Sequence, residues 1–121
     1  MANPISDILS QMELVNGCKI IDKSYIESKR MFILKLEGQE MIATITEDLV
    51  KSLHAMIGDE QNHWEHRNEM INGYRLVDTS YDENLQMFAL NLGIESVTMS
   101  KHLVKSLREI IDTRNDLNHS V

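Results

Sequence analysis

Two stretches of this chain resemble each other: VNGCKIIDKSYIESKRMFILKL at Val15–Leu36 and INGYRLVDTSYDENLQMFALNL at Ile71–Leu92. Aligned at a shift of 56 residues, they are identical at 10 of 22 positions. Other pairs are conservative, such as Lys19 with Arg75. Identities this dense and in the same order indicate an internal duplication.

The correspondence resumes after a gap of two residues, at a shift of 54. TITEDLVKSLHAMI at Thr44–Ile57 then aligns with TMSKHLVKSLREII at Thr98–Ile111. A gap of this size is tolerated in a loop between strands. We therefore predict one repeat at residues 1–57, a second at 58–112 and a polar C-terminal tail at 113–121. Because the link between the repeats is short, we expect them to pack as one compact domain.

Each repeat shows the pattern of an α-β-β-β-α unit. A leading helix is expected to begin at Asn3, an N-cap followed by proline, and to end at Gly17, with Gly73 ending its counterpart. Three strands follow, the middle one marked by apolar residues at every second position, such as Phe32 and Leu34. The closing helices carry apolar stripes around the shared Leu-Val-Lys-Ser-Leu segment. The sequence thus predicts an α+β fold with two antiparallel three-stranded sheets, helices packed on one face, and pseudo-twofold symmetry.

Composition limits the classes of function. The 121 residues include 12 Lys and Arg against 19 Asp and Glu, for a net charge of −7. This balance argues against direct nucleic-acid binding and against an anionic membrane surface. The single cysteine, Cys18, and the absence of a signal-peptide pattern at the N-terminus favour a cytoplasmic location. No cofactor is expected.

One polar segment recurs in both repeats, as Asp-x-Ser-Tyr-x-Glu. Its side chains could form paired polar patches for a symmetric ligand or for basic side chains of a partner. They could equally serve the fold, with the aspartate and serine satisfying backbone groups and the tyrosine packing in the core. The candidate binding residues are therefore Asp22, Tyr25, Glu27, Asp78, Tyr81 and Glu83.

Catalytic and metal sites are not predicted. The most metal-like string is His63-Trp64-Glu65-His66, but no further histidine or cysteine stands at a ligand spacing, and the first repeat has no equivalent. The sequence contains no nucleophile motif and no glycine-rich phosphate loop. We therefore expect a protein that is not an enzyme.

Three functions remain open at this point. The first is a small acidic protein that acts by protein–protein interaction, as an inhibitor or adaptor of the bacterial or phage type. It would dock on a basic surface, such as that of a nucleic-acid-binding enzyme. The second is a small-molecule-binding protein with a pocket between the repeats, and the third is an enzyme with an unrecognised site. Open edges of three-stranded sheets would also allow a homodimer.

Overall fold

The computed structural model describes residues 12–38, 40, 42–57 and 69–119. These residues form a mixed fold of antiparallel strands and two helices, which confirms the predicted α+β class. The helices are α1, Glu47–Ile57, and α2, Lys101–His119. The strands are β1 Leu14–Val15, β2 Cys18–Ile26, β3 Met31–Leu36, β4 Ile42–Thr46, β5 Met70–Ile71, β6 Tyr74–Arg75, β7 Asp78–Asp82, β8 Met87–Asn91 and β9 Ser96–Ser100.

The strands form one nine-stranded sheet in the order β6-β5-β4-β3-β2-β1-β9-β8-β7. The short strand β1 pairs with β2 and also with β9, where Val15 lies opposite Met99. Likewise β5 pairs with β4, where Ile71 lies opposite Ile45. Each half of the chain therefore adds a strand to the ladder of the other half. The prediction of two separate three-stranded sheets is wrong, because these pairings join segments too far apart in the chain to be read from local periodicity.

The two strands at the ends of this order, β6 and β7, are neighbours in the chain, separated only by Leu76 and Val77. Leu76 N donates to Glu69 O at 2.9 Å, and Val77 N donates to Asn91 O at 2.8 Å. Residues 74–82 thus pair with β5 at their start and with β8 at their end. Strand β2 pairs in the same way with β1 and then β3, with an irregular register between Ile20 and Asp22.

The turns before β2 and β6 differ from the prediction that Gly17 and Gly73 end helices. Asn16 and Gly17 have φ values of 52° and 79°, and Asn72 and Gly73 have values of 52° and 81°. Two consecutive left-handed residues form the tight turn that joins β1 to β2 and β5 to β6. Because a left-handed glycine also ends helices, the Asn-Gly pair alone does not distinguish a helix end from a tight turn between strands. The rest of the predicted leading helices, at 3–11 and 59–68, lies outside the described residues.

Within the described residues, one hydrophobic core joins the sheet to helices α1 and α2. Phe32 and Phe88, on the middle strand of each half, are fully buried. The apolar stripes of the two helices face the same core, as their spacing predicts. The fully buried members include Leu34, Ile45, Leu49, Leu53, Ile71, Leu90, Met99, Leu103 and Leu107.

Helix α2 is longer than its apolar stripe. The stripe ends at Ile111, and the helix continues to His119 through the segment that the sequence analysis assigned to a polar tail. Neither described helix is both long and apolar enough to cross a bilayer.

Candidate functional site

The two tyrosines of the repeated polar segment pack against the core. The rings of Tyr25 and Phe32 have centroids 4.9 Å apart, and those of Tyr81 and Phe88 have centroids 4.6 Å apart. Both tyrosines are half-buried, and burial raises the pKa of each phenol above its ordinary value of 10.0. These contacts assign the tyrosines a packing role at the margin of the core.

The two aspartates of the segment lie on the opposite, outward face of their strands. Asp22 and Asp78 are exposed. Their Oδ1 atoms accept hydrogen bonds from the backbone N–H of the next residue, Lys23 at 3.0 Å and Thr79 at 2.9 Å. Each aspartate thus satisfies a local backbone donor and still presents carboxylate charge to solvent.

The two glutamates differ in their surroundings. Glu27 lies beside Arg114 of α2, with Arg114 Nη1 3.7 Å from Glu27 Oε2, and the same guanidinium stands 5.5 Å from the centre of the Tyr25 ring. The structure therefore brings together Tyr25 and Glu27 around one cation. Glu83 is exposed in the turn between β7 and β8, and in the described part of the chain it forms no ion pair.

A buried carboxylate that the sequence pattern does not predict lies at the start of α1. Glu47 is only 4% exposed, and its Oε2 accepts a hydrogen bond from Arg30 Nε at 2.8 Å. Lys51 Nζ stands 3.7 Å from Glu47 Oε1. The Glu47 charge is a further cause of the raised pKa of Tyr25, and Arg30 opposes it.

The ion pair of Arg30 and Glu47 has no counterpart in the sequence of the second half. In the sequence alignment Lys101 stands where the first half has Glu47, and Gln86 stands where it has Arg30. The backbone contact is kept in both, since Glu47 N donates to Arg30 O and Lys101 N donates to Gln86 O, each at 2.9 Å. A single polar residue at a helix start gives no periodic signal, so its burial could not be predicted.

Surface charge also divides unequally between the halves. Residues 18–46 contain five Lys or Arg and four Asp or Glu, a net charge of +1. The corresponding residues 74–100 contain only Arg75 against four carboxylates, a net charge of −3. All four are exposed, and we call them the acidic sheet surface: Asp78, Asp82, Glu83 and Glu95.

Some carboxylates of the first half have cationic partners, although Asp22, Glu37 and Glu40 form no ion pair among the described residues. In the first half Glu13, Glu27 and Glu47 pair with Lys23, Arg114 and Arg30. Among the described residues, no member of the acidic sheet surface forms an ion pair. The sequence analysis selected two of its members, Asp78 and Glu83, but not Asp82 or Glu95.

Large apolar side chains are exposed within the same region. Val77 and Ile94 are 67% and 71% exposed, and Leu85 is 58% exposed. Periodicity could not identify them, because all three lie in turns or strand breaks rather than in regular elements. Their exposure beside unpaired carboxylates makes this half of the sheet the candidate functional surface.

Two further features bear on the alternatives. A groove of about 400 Å³ lies between the helices, lined by His54 of α1 and by residues of α2 that include His102, Lys105 and Arg108. Among the described residues, no three His, Cys, Asp or Glu side chains are grouped so that they could hold a metal ion. The His63-Trp64-Glu65-His66 string lies outside the described residues.

Comparison of the chain with protein-family models, with curated proteins and with solved structures gave no match.

Proposed function

We propose that this chain is a non-enzymatic protein that acts by docking on a basic surface of another protein. The observation that carries the proposal is the acidic sheet surface, where four exposed carboxylates form no ion pair among the described residues. Exposed carboxylates that have no cation beside them keep a local negative potential, which attracts and orients a positively charged partner.

The charge division supports this assignment over a general effect of acidic composition. A chain that needed negative charge only for solubility would have no reason to leave one half with almost no cations among its carboxylates. The first half carries as many carboxylates between residues 18 and 46 but has five cations among them. Docking of a basic partner on β7–β9 accounts for the lower number of cations in the second half. Carboxylates that have no cation beside them increase both the association rate and the binding energy of a basic partner.

The test compares two variants that each remove four negative charges. One neutralises the acidic sheet surface, with Asp78→Asn, Asp82→Asn, Glu83→Gln and Glu95→Gln. The other is the matched control in the first half, with Asp22→Asn, Glu27→Gln, Glu37→Gln and Glu40→Gln. Each protein is immobilised and exposed to cell extract at low and at high salt, and stoichiometrically bound proteins are identified and then purified for affinity measurements.

We expect the unaltered protein and the first-half control to bind the same basic protein, with an affinity that falls as salt rises. The second-half variant should bind it at least tenfold more weakly, since two or more desolvated charge contacts are lost. Equal binding by both variants, or binding that is insensitive to salt, would overturn the proposal.

A second candidate is a small-molecule-binding protein, favoured by the groove between α1 and α2. Its lysine and imidazole side chains would suit a small anionic ligand, although Glu109 and Asp112 also line the groove and Asp112 pairs with Arg108. A rise in melting temperature with inorganic phosphate or a dicarboxylate, lost in Lys105→Ala together with Arg108→Ala, would support this function. No rise at millimolar ligand would count against it.

We further propose that the two halves arose by duplication and are related by a pseudo-twofold axis, with repeats at 1–57 and 58–112. Matched contacts in both halves support this, such as the Tyr–Phe stacks and the two Asn-Gly turns. A cytoplasmic inhibitor or adaptor of the bacterial or phage type fits the small size and acidic surface. A nucleic-acid-binding enzyme is the partner class whose basic groove would suit that surface.

A further inference from the structure

One end of the acidic sheet surface combines charge with exposed apolar side chains. Strand β7 begins beside the turn at residues 92–95, because Val77 N donates to Asn91 O. Gly93 lies against Val77, so that a Cβ at Gly93 would stand 3.7 Å from Val77 Cγ2. We call the group at this end, Val77, Asp78, Ile94 and Glu95, the Val77–Ile94 patch.

The turn that carries Ile94 is held in one conformation. Leu92 N donates to Glu95 O at 2.9 Å, and Asn91 Oδ1 accepts a hydrogen bond from Gly93 N at 2.9 Å. Gly93 has a φ of 89°, which a side chain at this position would strain. Ile94 is therefore an exposed apolar side chain on a pre-ordered turn, and binding it costs little conformational entropy.

The corresponding place in the first half lacks this combination. Ile21 is exposed there, but Asp22 lies opposite a cationic residue, Lys35, in the ladder. Asp78 instead lies opposite Asn91. The first half also has two more residues between the aligned positions Leu36 and Thr44 than the second half has between Leu92 and Thr98.

We infer that the Val77–Ile94 patch is the docking point for a basic segment of a partner protein, one with an aliphatic side chain flanked by Lys or Arg. The aliphatic side chain would pack on Val77 and Ile94. The flanking cations would meet Asp78 on β7 and Glu95 beside β9, two strand spacings or about 10 Å apart. This inference rests on the proposed function and adds the place and the chemistry of recognition.

A second copy of the chain is a poorer occupant. The net charge of −7 makes two copies repel each other, and the patch itself is negative. Leu85 lies beside carboxylates at the opposite end of the β7–β8 hairpin. Among the described residues of that end, it is the single large apolar side chain that is exposed. It provides the matched control position.

The test uses full-length ¹⁵N-labelled protein and three synthetic peptides. The first peptide has a leucine flanked on both sides by arginines, the second has serine in place of the leucine, and the third has glutamines in place of the arginines. Amide shifts map where each peptide binds, and the titrations are repeated with Ile94→Ser and with the control Leu85→Ser.

We expect the first peptide to shift the amides of Val77, Ile94 and Glu95, and the other two to bind about fivefold more weakly. Ile94→Ser should weaken the first peptide to a similar extent, and Leu85→Ser should leave it unchanged. Binding elsewhere on the acidic sheet surface, unaffected by Ile94→Ser, would overturn the docking point but leave the proposed function standing. No shift by any basic peptide at low salt would overturn both. Patch shifts that grow with protein concentration alone would make a second copy the occupant.

Discussion

Asn16 and Thr98 are joined by two hydrogen bonds although they lie in opposite halves of the chain. Asn16 N donates to Thr98 O, and Asn16 Oδ1 accepts from Thr98 N, both at 2.9 Å. Asn72 makes the same two bonds to Thr44, at 2.8 and 2.9 Å. Each asparagine therefore extends the hydrogen bonding between the two halves. Its backbone N–H donates to the opposite threonine, and its side-chain oxygen accepts from the backbone N–H of the same threonine.

This arrangement predicts graded losses of stability at Asn16. Asn16→Gly keeps the left-handed backbone but removes the Oδ1 acceptor, which should cost about 1 kcal/mol. Asn16→Ala should cost about 2 kcal/mol, because alanine also strains at a φ of 52°. Urea unfolding of both variants measures the difference. Equal stabilities for the glycine and alanine variants would contradict the assigned turn.

Thr79 provides a site where stability should rise. Its Oγ1 is buried and has no hydrogen-bond partner in the described structure. Replacing the hydroxyl by a methyl group in Thr79→Val should therefore stabilise the fold by about 1 kcal/mol, as a buried donor without a partner costs free energy. The exposed Thr98→Val is the control and should change stability little. A loss of stability in Thr79→Val, measured by thermal unfolding, would show that the hydroxyl has a partner.

The ion pair of Arg30 and Glu47 should contribute to stability despite the exposure of Arg30. Arg30→Gln copies the residue found at the matching position of the second half, Gln86, whose φ of 51° is nearly the same as the 50° of Arg30. The loss should be about 1 kcal/mol, since the guanidinium is 70% exposed and solvent screens it. A double-mutant cycle with Glu47→Gln measures the interaction energy of the pair. A coupling energy near zero would show that the pair does not stabilise the fold.

The tyrosines predict the behaviour at alkaline pH. Burial, and for Tyr25 the neighbouring Glu47, raises the pKa of both phenols above 10.0, so the folded chain holds these protons to higher pH than the unfolded chain. The resulting stability is complete below pH 10 and is lost as the pH rises through the folded-state values. The free energy of unfolding should fall less steeply with rising pH in the Tyr25→Phe variant than in the unaltered protein. Phenolate absorbance checks the same shift directly, and normal titration of Tyr25 would contradict it.

Local patterns sufficed for the central strands and the closing helices, but not for the segments before Gly17 and Gly73 or for the assembly of the sheet. The alternation at Phe32 and Leu34 correctly predicted a buried strand, and the stripe at Leu49 and Leu53 a packed helix, because side-chain direction follows from backbone period. The pairing of Val15 with Met99 could not be predicted, since it depends on which distant segment completes the ladder. For this reason the sequence predicts two three-stranded sheets and not one nine-stranded sheet.

The candidate surface was only partly predictable for a related reason. Asp78 was selected because it repeats Asp22, yet the two differ in what lies across the ladder, Asn91 in one case and Lys35 in the other. That difference becomes visible only when the register is known. Ile94 carries no pattern at all, and its importance follows from the turn that exposes it.

The pairing of strands between the two halves also sets the order in which the sheet can form during synthesis. Val15 can find its partner on β9 only after Met99 has left the ribosome, so the first half cannot complete its ladder while the second is still being made. Contacts between segments so distant in sequence slow the search for the native state. The nascent first half must therefore persist with an unfinished sheet until the C-terminal strands arrive.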